Sequence, residues 1–120
     1  MKNNSFRARR VSVVLYLPLL PLLIALMSCG GADVAMKKGD RFFALGEYHD
    51  AAAQYRKAYQ QTPAKERKER GQDAKKMAEC YRRINYTAKA ISAYNNVMRY
   101  GQGDSLTLLR LAQQQMMTGN

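Results

Sequence analysis

The chain has 120 residues, 47% hydrophobic and 24% charged, and 20 Lys and Arg against 9 Asp and Glu give a formal net charge of +11. A chain this short buries one modest core and leaves no room for several large domains. The basic balance points to nucleic acid, anionic headgroups, cell-wall polymers or an acidic protein face as partners, and the two cysteines allow at most one disulfide.

The N-terminus carries Lys2, Arg7, Arg9 and Arg10 and no acid. An apolar run follows from Val11 to Leu26. At about 16 residues it falls short of the roughly 20 that a spanning helix needs. Pro18 and Pro21 also oppose a well-formed transmembrane helix. The run closes on Leu26-Met27-Ser28-Cys29, which resembles a bacterial lipobox. Small residues flank the cut, with Ser28 before it and Gly30 and Gly31 after; Met27 is larger than such motifs usually carry. An uncleaved anchor and cleavage without lipid are the two competing readings.

The lipobox implies a signal peptide over 1–28, a diacylglycerol thioether on Cys29 and a short tether over 29–31. One acyl chain anchors only marginally at ~0.8 kcal/mol per buried CH₂, whereas two or more hold firmly. A mature lipoprotein of this kind carries three. Asp after the Cys favours inner-membrane retention in such proteins, so Gly30 implies the outer membrane. The acid-rich run of surface-exposed members is missing from Gly30-Gly31-Ala32-Asp33, which implies the periplasmic face. Export removes nucleic acid as a partner. With Cys29 consumed, Cys80 stands alone inside a helical apolar pattern, as a small buried thiol.

Helical periodicity then predicts five helices, over 32–45, 48–61, 64–84, 87–99 and 104–118, and no strand. The chain repeats itself. Ala32 to Pro63 and Gly71 to Gln102 both read as helix, tight turn, helix. The first unit resembles a tetratricopeptide (TPR) repeat. Gly39, Phe42, Gly46, Tyr48, Ala51, Tyr55, Ala58 and Pro63 match its pattern. In the second unit Met77, Ala78, Tyr81, Asn85, Ala90, Tyr94 and Val97 stand in register. Asn85 replaces the turn glycine and tolerates the same left-handed backbone. Thr87 replaces the aromatic beside the turn, and the final proline is missing.

Small side chains at Gly39, Ala51, Ala78 and Ala90 let paired helices approach closely, and Phe42, Tyr55, Tyr81 and Tyr94 fill the space beside each crossing. A single hairpin cannot bury its apolar face, so neighbours must stack. The units are offset by 39 residues rather than the usual 34. The excess is the helix-favouring run Ala64 to Arg70, expected to extend the third helix at its start as a solvated face.

A third unit opens with Asp104 or Ser105 as a helix cap. Leu106, Leu108, Leu109, Leu111, Ala112 and Met116 make its helix amphipathic, and Gly119 occupies the turn position. No second helix follows. The expectation is therefore a truncated or interrupted chain, or a terminal helix acting as a poor cap. The fold class expected is all-α, a TPR-like α-solenoid of about two and a half hairpins over 32–120, divided as 32–63, 64–102 and an incomplete 104–120.

A lipobox followed at once by this repeat resembles the TPR lipoproteins of Bacteroidota associated with type IX (Por) secretion and gliding motility. Several of those place a TPR region before a β-propeller and an OmpA-like domain, neither of which is present here. The resemblance implies a non-enzymatic scaffold anchored in the membrane through Cys29 and contacting protein partners in an envelope complex. The alternatives are a stand-alone tethered peptide- or cell-wall-binding module, and a fragment of a larger multidomain lipoprotein or enzyme.

TPR arrays bind on the face lined by each repeat's first helix. Matching positions here are Met36, Asp40, Phe43 and Ala44, then Lys75, Glu79, Arg82 and Arg83, then Leu109, Gln113 and Met116. Lys75, Arg82 and Arg83 suit an acidic segment or a terminal carboxylate. No catalytic set, metal site, cofactor loop or small-molecule site is expected. The lone His49 reads as a solvated turn residue. Cys29→Ala should abolish palmitate labelling and release the chain from the membrane fraction; labelling that survives would exclude the lipobox.

Overall fold

The computed structural model describes residues 30–119. The expected signal peptide over 1–28 and the expected lipidation site Cys29 lie outside the described residues. Five α-helices follow one another: α1 (Gly31–Ala44), α2 (Tyr48–Gln61), α3 (Arg67–Arg83), α4 (Thr87–Arg99) and α5 (Ser105–Met117). There is no strand among the described residues, so the described part is all-α.

The turns inside the two hairpins repeat one capping device. After α1, Gly46 takes φ +76°. The Gly46 amide donates to Phe43 O at 3.0 Å and the Glu47 amide to Phe42 O at 2.9 Å. That pairing satisfies the last carbonyls of the helix and reverses the chain. Asn85 does the same after α3 at φ 58°, with the Tyr86 amide reaching Tyr81 O at 2.9 Å. The start of α5 is closed differently. Asp104 Oδ1 accepts from the Thr107 amide at 2.8 Å, an N-cap bond.

The start of α3 departs from expectation. The helix was expected from residue 64 and begins at Arg67. Thr62 precedes Pro63, which drives it out of helical space, and it sits at φ −70°, ψ 123°. A turn follows in which the Glu66 amide donates to Pro63 O at 3.0 Å. The remaining extra residues do form the first turn of α3, but they are not merely solvated. The Arg67 guanidinium donates to Arg99 O at 2.7 Å. Arg70 donates to Thr62 O at 2.7 Å and lies 4.2 Å from the Tyr59 ring centroid and 5.5 Å from that of Tyr100.

Consecutive helices pack as antiparallel hairpins. Along α1 and α2, Gly31 meets Gln61, Gly39 meets Tyr55, and Phe43 meets Tyr48. Along α3 and α4, Gly71 meets Gln102, Glu79 meets Tyr94, and Tyr81 meets Tyr86. The core is built from Ala51, Ala52, Tyr55, Met77, Ala78, Cys80, Tyr81, Ala90, Ala93 and Tyr94. Alanines set the helix spacing and tyrosines fill the gaps between layers. The odd-numbered helices run side by side: Lys76 on α3 reaches Asp40 on α1, and Arg110 on α5 reaches Glu79 on α3.

Gly39 tests the closest of these crossings. A Cβ there would stand 2.6 Å from Cε1 of Tyr55, whose ring is pinned through its hydroxyl on Asp40. Alanine normally improves a helix interior by ~0.5–1 kcal/mol, but overpacking of this kind costs about 1–3 kcal/mol. Gly39→Ala should therefore lower stability in a denaturant titration, whereas Asn85→Gly should stay within about 0.5 kcal/mol of wild type.

Candidate functional site

Each of α1 and α3 carries, in its second half, an acid held by neighbouring side chains, two at Asp40 and three at Glu79. Asp40 Oδ1 accepts from the Tyr55 hydroxyl at 2.7 Å and from Lys76 Nζ at 2.5 Å. Glu79 Oε1 accepts from the Tyr94 hydroxyl at 2.6 Å. Its Oε2 accepts from Arg82 at 3.1 Å and pairs with Arg110. In both cases the tyrosine comes from the second helix of the same hairpin. The base comes from the next odd-numbered helix.

The electrostatics follow from that wiring. Burial pushes the Glu79 carboxyl up, but the Tyr94 hydroxyl, Arg110 and Arg82 outweigh it and hold the group below its ordinary value. Asp40 is lowered in the same way, burial being outweighed by Lys76 and Tyr55. Burial, then the bond to Glu79, pushes the Tyr94 phenol up to about 12. Asp73 behaves oppositely. Burial raises it, against a partly compensating bond to Thr62. The Thr62 hydroxyl has one proton but two oxygens in reach, Ala58 O at 2.9 Å and Asp73 Oδ2 at 2.7 Å.

Between α1 and α3 lies an open groove of about 320 Å³, lined by Asp40, Phe43, Tyr55, Lys75, Lys76 and Glu79. It joins four of the residues expected on the binding face: Asp40, Phe43, Lys75 and Glu79. Met36 is half-buried and packs against the core instead. Arg82 lines a second depression of about 480 Å³ with Asn85, Gln113, Gln114, Met116 and Met117. Arg83 is exposed, donates to the Tyr48 hydroxyl at 3.2 Å, and sits 5.2 Å from the Phe43 ring centroid.

The three cations expected to receive an acidic ligand are thus already engaged within the chain. Lys75 pairs with Asp104 at 2.7 Å, Arg82 with Glu79, and Arg83 with the aromatic pair of the first turn. The Lys75–Asp104 pair is exposed to solvent and screened there, so a ligand can open it. Arg82 Nε and Gln114 Oε1 are buried without hydrogen-bond partners, both in the wall of the second depression.

Residue reading missed Lys76 and Arg110 and treated Tyr55 and Tyr94 as packing alone. The signal was available: Asp40 with Tyr55 recurs as Glu79 with Tyr94 at the same offset as the repeat itself. His49 is exposed, 3.9 Å from Asp50. Among the described residues no group of three or more His, Cys, Asp or Glu could hold a metal ion. Cys80 is fully buried, and burial pushes its thiol up to about 12, so it stays protonated and unreactive.

No family model, curated protein or solved structure matches this chain.

Half-buried Glu79 and buried Asp73 predict opposite pH behaviour. Glu79 is depressed on folding, so its stabilisation is complete above the ordinary value of 4.5 and is lost as pH falls through the lower folded value. Asp73 is raised, so its ionised form opposes folding at neutral pH and is relieved in acid. At pH 7 Glu79→Gln should cost about 1.5–3 kcal/mol, the range for hydrogen bonds to a charged group. Asp73→Asn should be neutral or stabilising. Both differences from wild type should shrink when unfolding is measured in acid.

Proposed function

We propose that this chain is a lipid-anchored scaffold of the tetratricopeptide type, facing the periplasm and joining proteins in an envelope assembly of the type IX secretion kind. The observation that carries this reading is the common face of α1, α3 and α5. Stacked hairpins bring the first helix of each unit alongside the next, and the groove between α1 and α3 opens on that face.

The groove suits a peptide rather than a reaction. Its floor is aromatic and aliphatic, from Phe43, Tyr55 and the side-chain stems of Lys75 and Lys76. Charged tips stand at its rim, where they give orientation and selectivity. Tyr55 and Glu79 are held by bonds described above, so the walls are preorganised and a ligand orders little on binding. The short hairpins, the small residues at the crossings and the repeated turn caps all support the TPR assignment. The anchor and the compartment rest on the sequence pattern ending at Cys29.

The test is the migration of the chain in gently solubilised envelopes. Wild type should run with a large complex. Lys75→Glu should run free, because it reverses the groove wall while losing only a weak exposed pair. Wild type running as a free lipoprotein would remove the scaffold reading. Lys75→Glu retained in the complex would move the binding site out of this groove.

A further inference from the structure

The helix α1 turns one side to the core and the other to solvent. Ala35 and Gly39 are buried, and Met36, Phe42 and Phe43 pack against the core. On the outer side Val34, Lys37, Lys38, Arg41 and Leu45 are all exposed. Val34, Lys38, Arg41 and Leu45 follow one another at spacings of four, three and four, so they stand in one line. Leu45 lies just past the helix, but its amide still donates to Arg41 O at 3.2 Å and continues the turn. With Lys37 these side chains fill an arc of about 100° around the axis. The arc holds three bases and no acid. Asp33 and Asp40 fall beyond its edge, and Asp40 is already held by Lys76 and Tyr55. Among the described residues no ion pair involves Lys37, Lys38 or Arg41.

Charge and position together identify the occupant. A row of bases with an apolar side chain at each end suits an anionic lipid surface, where the cations meet phosphates and the apolar groups enter the headgroup layer. Val34 at 66% exposed and Leu45 at 72% are open enough to enter it. The helix begins at Gly31, two residues after Cys29, a reach of about 7 Å. A bilayer that holds the chain at Cys29 therefore stands beside this stripe permanently, at an effective concentration that a free partner does not match. A second copy of the chain would set the three bases against their own kind.

We propose that α1 lies along the bilayer, with Lys37, Lys38 and Arg41 on anionic phospholipid headgroups and Val34 and Leu45 set between them. This rests on the anchored reading above and adds an orientation to it. An anchor alone leaves the stack free to swing about its tether. The stripe lays the first hairpin down and fixes which side faces lipid. Asp40 and Phe43 lie outside the arc, so the contact leaves the groove between α1 and α3 open to a partner.

The sequence has no tryptophan, so a single one can serve as the reporter. The full chain carrying Leu45→Trp is reconstituted into vesicles of phosphatidylethanolamine with phosphatidylglycerol, and into vesicles of phosphatidylcholine alone. In the anionic vesicles its emission should shift to the blue and be quenched by brominated lipid. The shift should be absent in the neutral vesicles, and it should fall away in the anionic ones at about 1 M salt, where the Debye length is about 3 Å. Lys37→Glu, Lys38→Glu and Arg41→Glu together should abolish it, and Ala88→Trp on α4 should not show it. Every replaced side chain is exposed, so the fold should survive, as checked by circular dichroism and by protection of buried Cys80 from maleimide. An unshifted Leu45→Trp in anionic vesicles would overturn the proposal. So would an equal shift in neutral vesicles, in the triple variant, or with soluble polyglutamate in place of vesicles. Flotation separates this contact from the anchor. A chain that fails to float with neutral vesicles has no lipid anchor, whereas emission in the anionic vesicles still decides the contact of α1.

Discussion

The stack of hairpins depends on one kind of contact, a carboxylate shared between a tyrosine and a base on two different helices. Asp40 ties α2 to α3 through Tyr55 and Lys76. Glu79 ties α4 to α5 through Tyr94 and Arg110. Apolar packing alone between alanine-rich helices leaves their axial register loosely set, because one alanine substitutes for another. A hydroxyl that must reach one oxygen, and a base that must reach the same group, fix that register to a fraction of a turn. The arrangement fits the general finding that buried polar groups are stabilising when every member is satisfied and costly when one is not. Glu79 meets that condition, accepting on both oxygens. Arg82 Nε, left without a partner, does not.

The tyrosines therefore do two jobs at once. The rings of Tyr55 and Tyr94 fill the gap opened by small residues on the facing helix, and both are buried. Their hydroxyls carry the polar link outward to the edge of the core, where the acid remains in reach of a base. Phenylalanine would fill the same volume but leave each acid with one donor fewer. The Tyr94 phenol is pushed up to about 12 first by burial and then by its bond to Glu79, so it stays a donor. Aromatic–cation contacts extend the theme at the second turn. There Arg70 stacks over Tyr59 and bonds Tyr100, closing the seam between α2, α3 and the end of α4.

This wiring shapes any binding role. Most basic side chains of the face formed by α1, α3 and α5 already have internal partners, so a strongly basic composition does not translate into an equally basic groove. A ligand entering beside Phe43 meets an aromatic floor and must exchange with Asp104 for Lys75. Affinity then comes chiefly from apolar contact, and charge acts as a selector. The exposed part of α5 is of another kind, apolar and uncharged, with Leu108, Leu109, Met116 and Met117 open to solvent.

Much of the fold was legible in the residues. Gly39, Gly46, Ala51, Asn85 and Ala90 mark where helices must touch or turn, because only small or left-handed-tolerant residues fit there. Helical periodicity placed five helices, four of them to within a residue at each end, and identified Cys80 as buried. The pattern ending at Cys29 set the expectation for compartment and anchor. The tertiary structure decided what periodicity cannot encode. Pro63 and the extended Thr62 delayed α3 to Arg67. The charged residues Arg67 and Arg70, which look solvated in one dimension, folded back onto Arg99, Tyr59 and Tyr100. Lys75, Arg82 and Arg83 look like a free basic strip along one helix, yet each finds a partner. The reason is physical: local sequence fixes which face of a helix is apolar, but the partner of a charge is set by side chains that become neighbours only when separate helices pack.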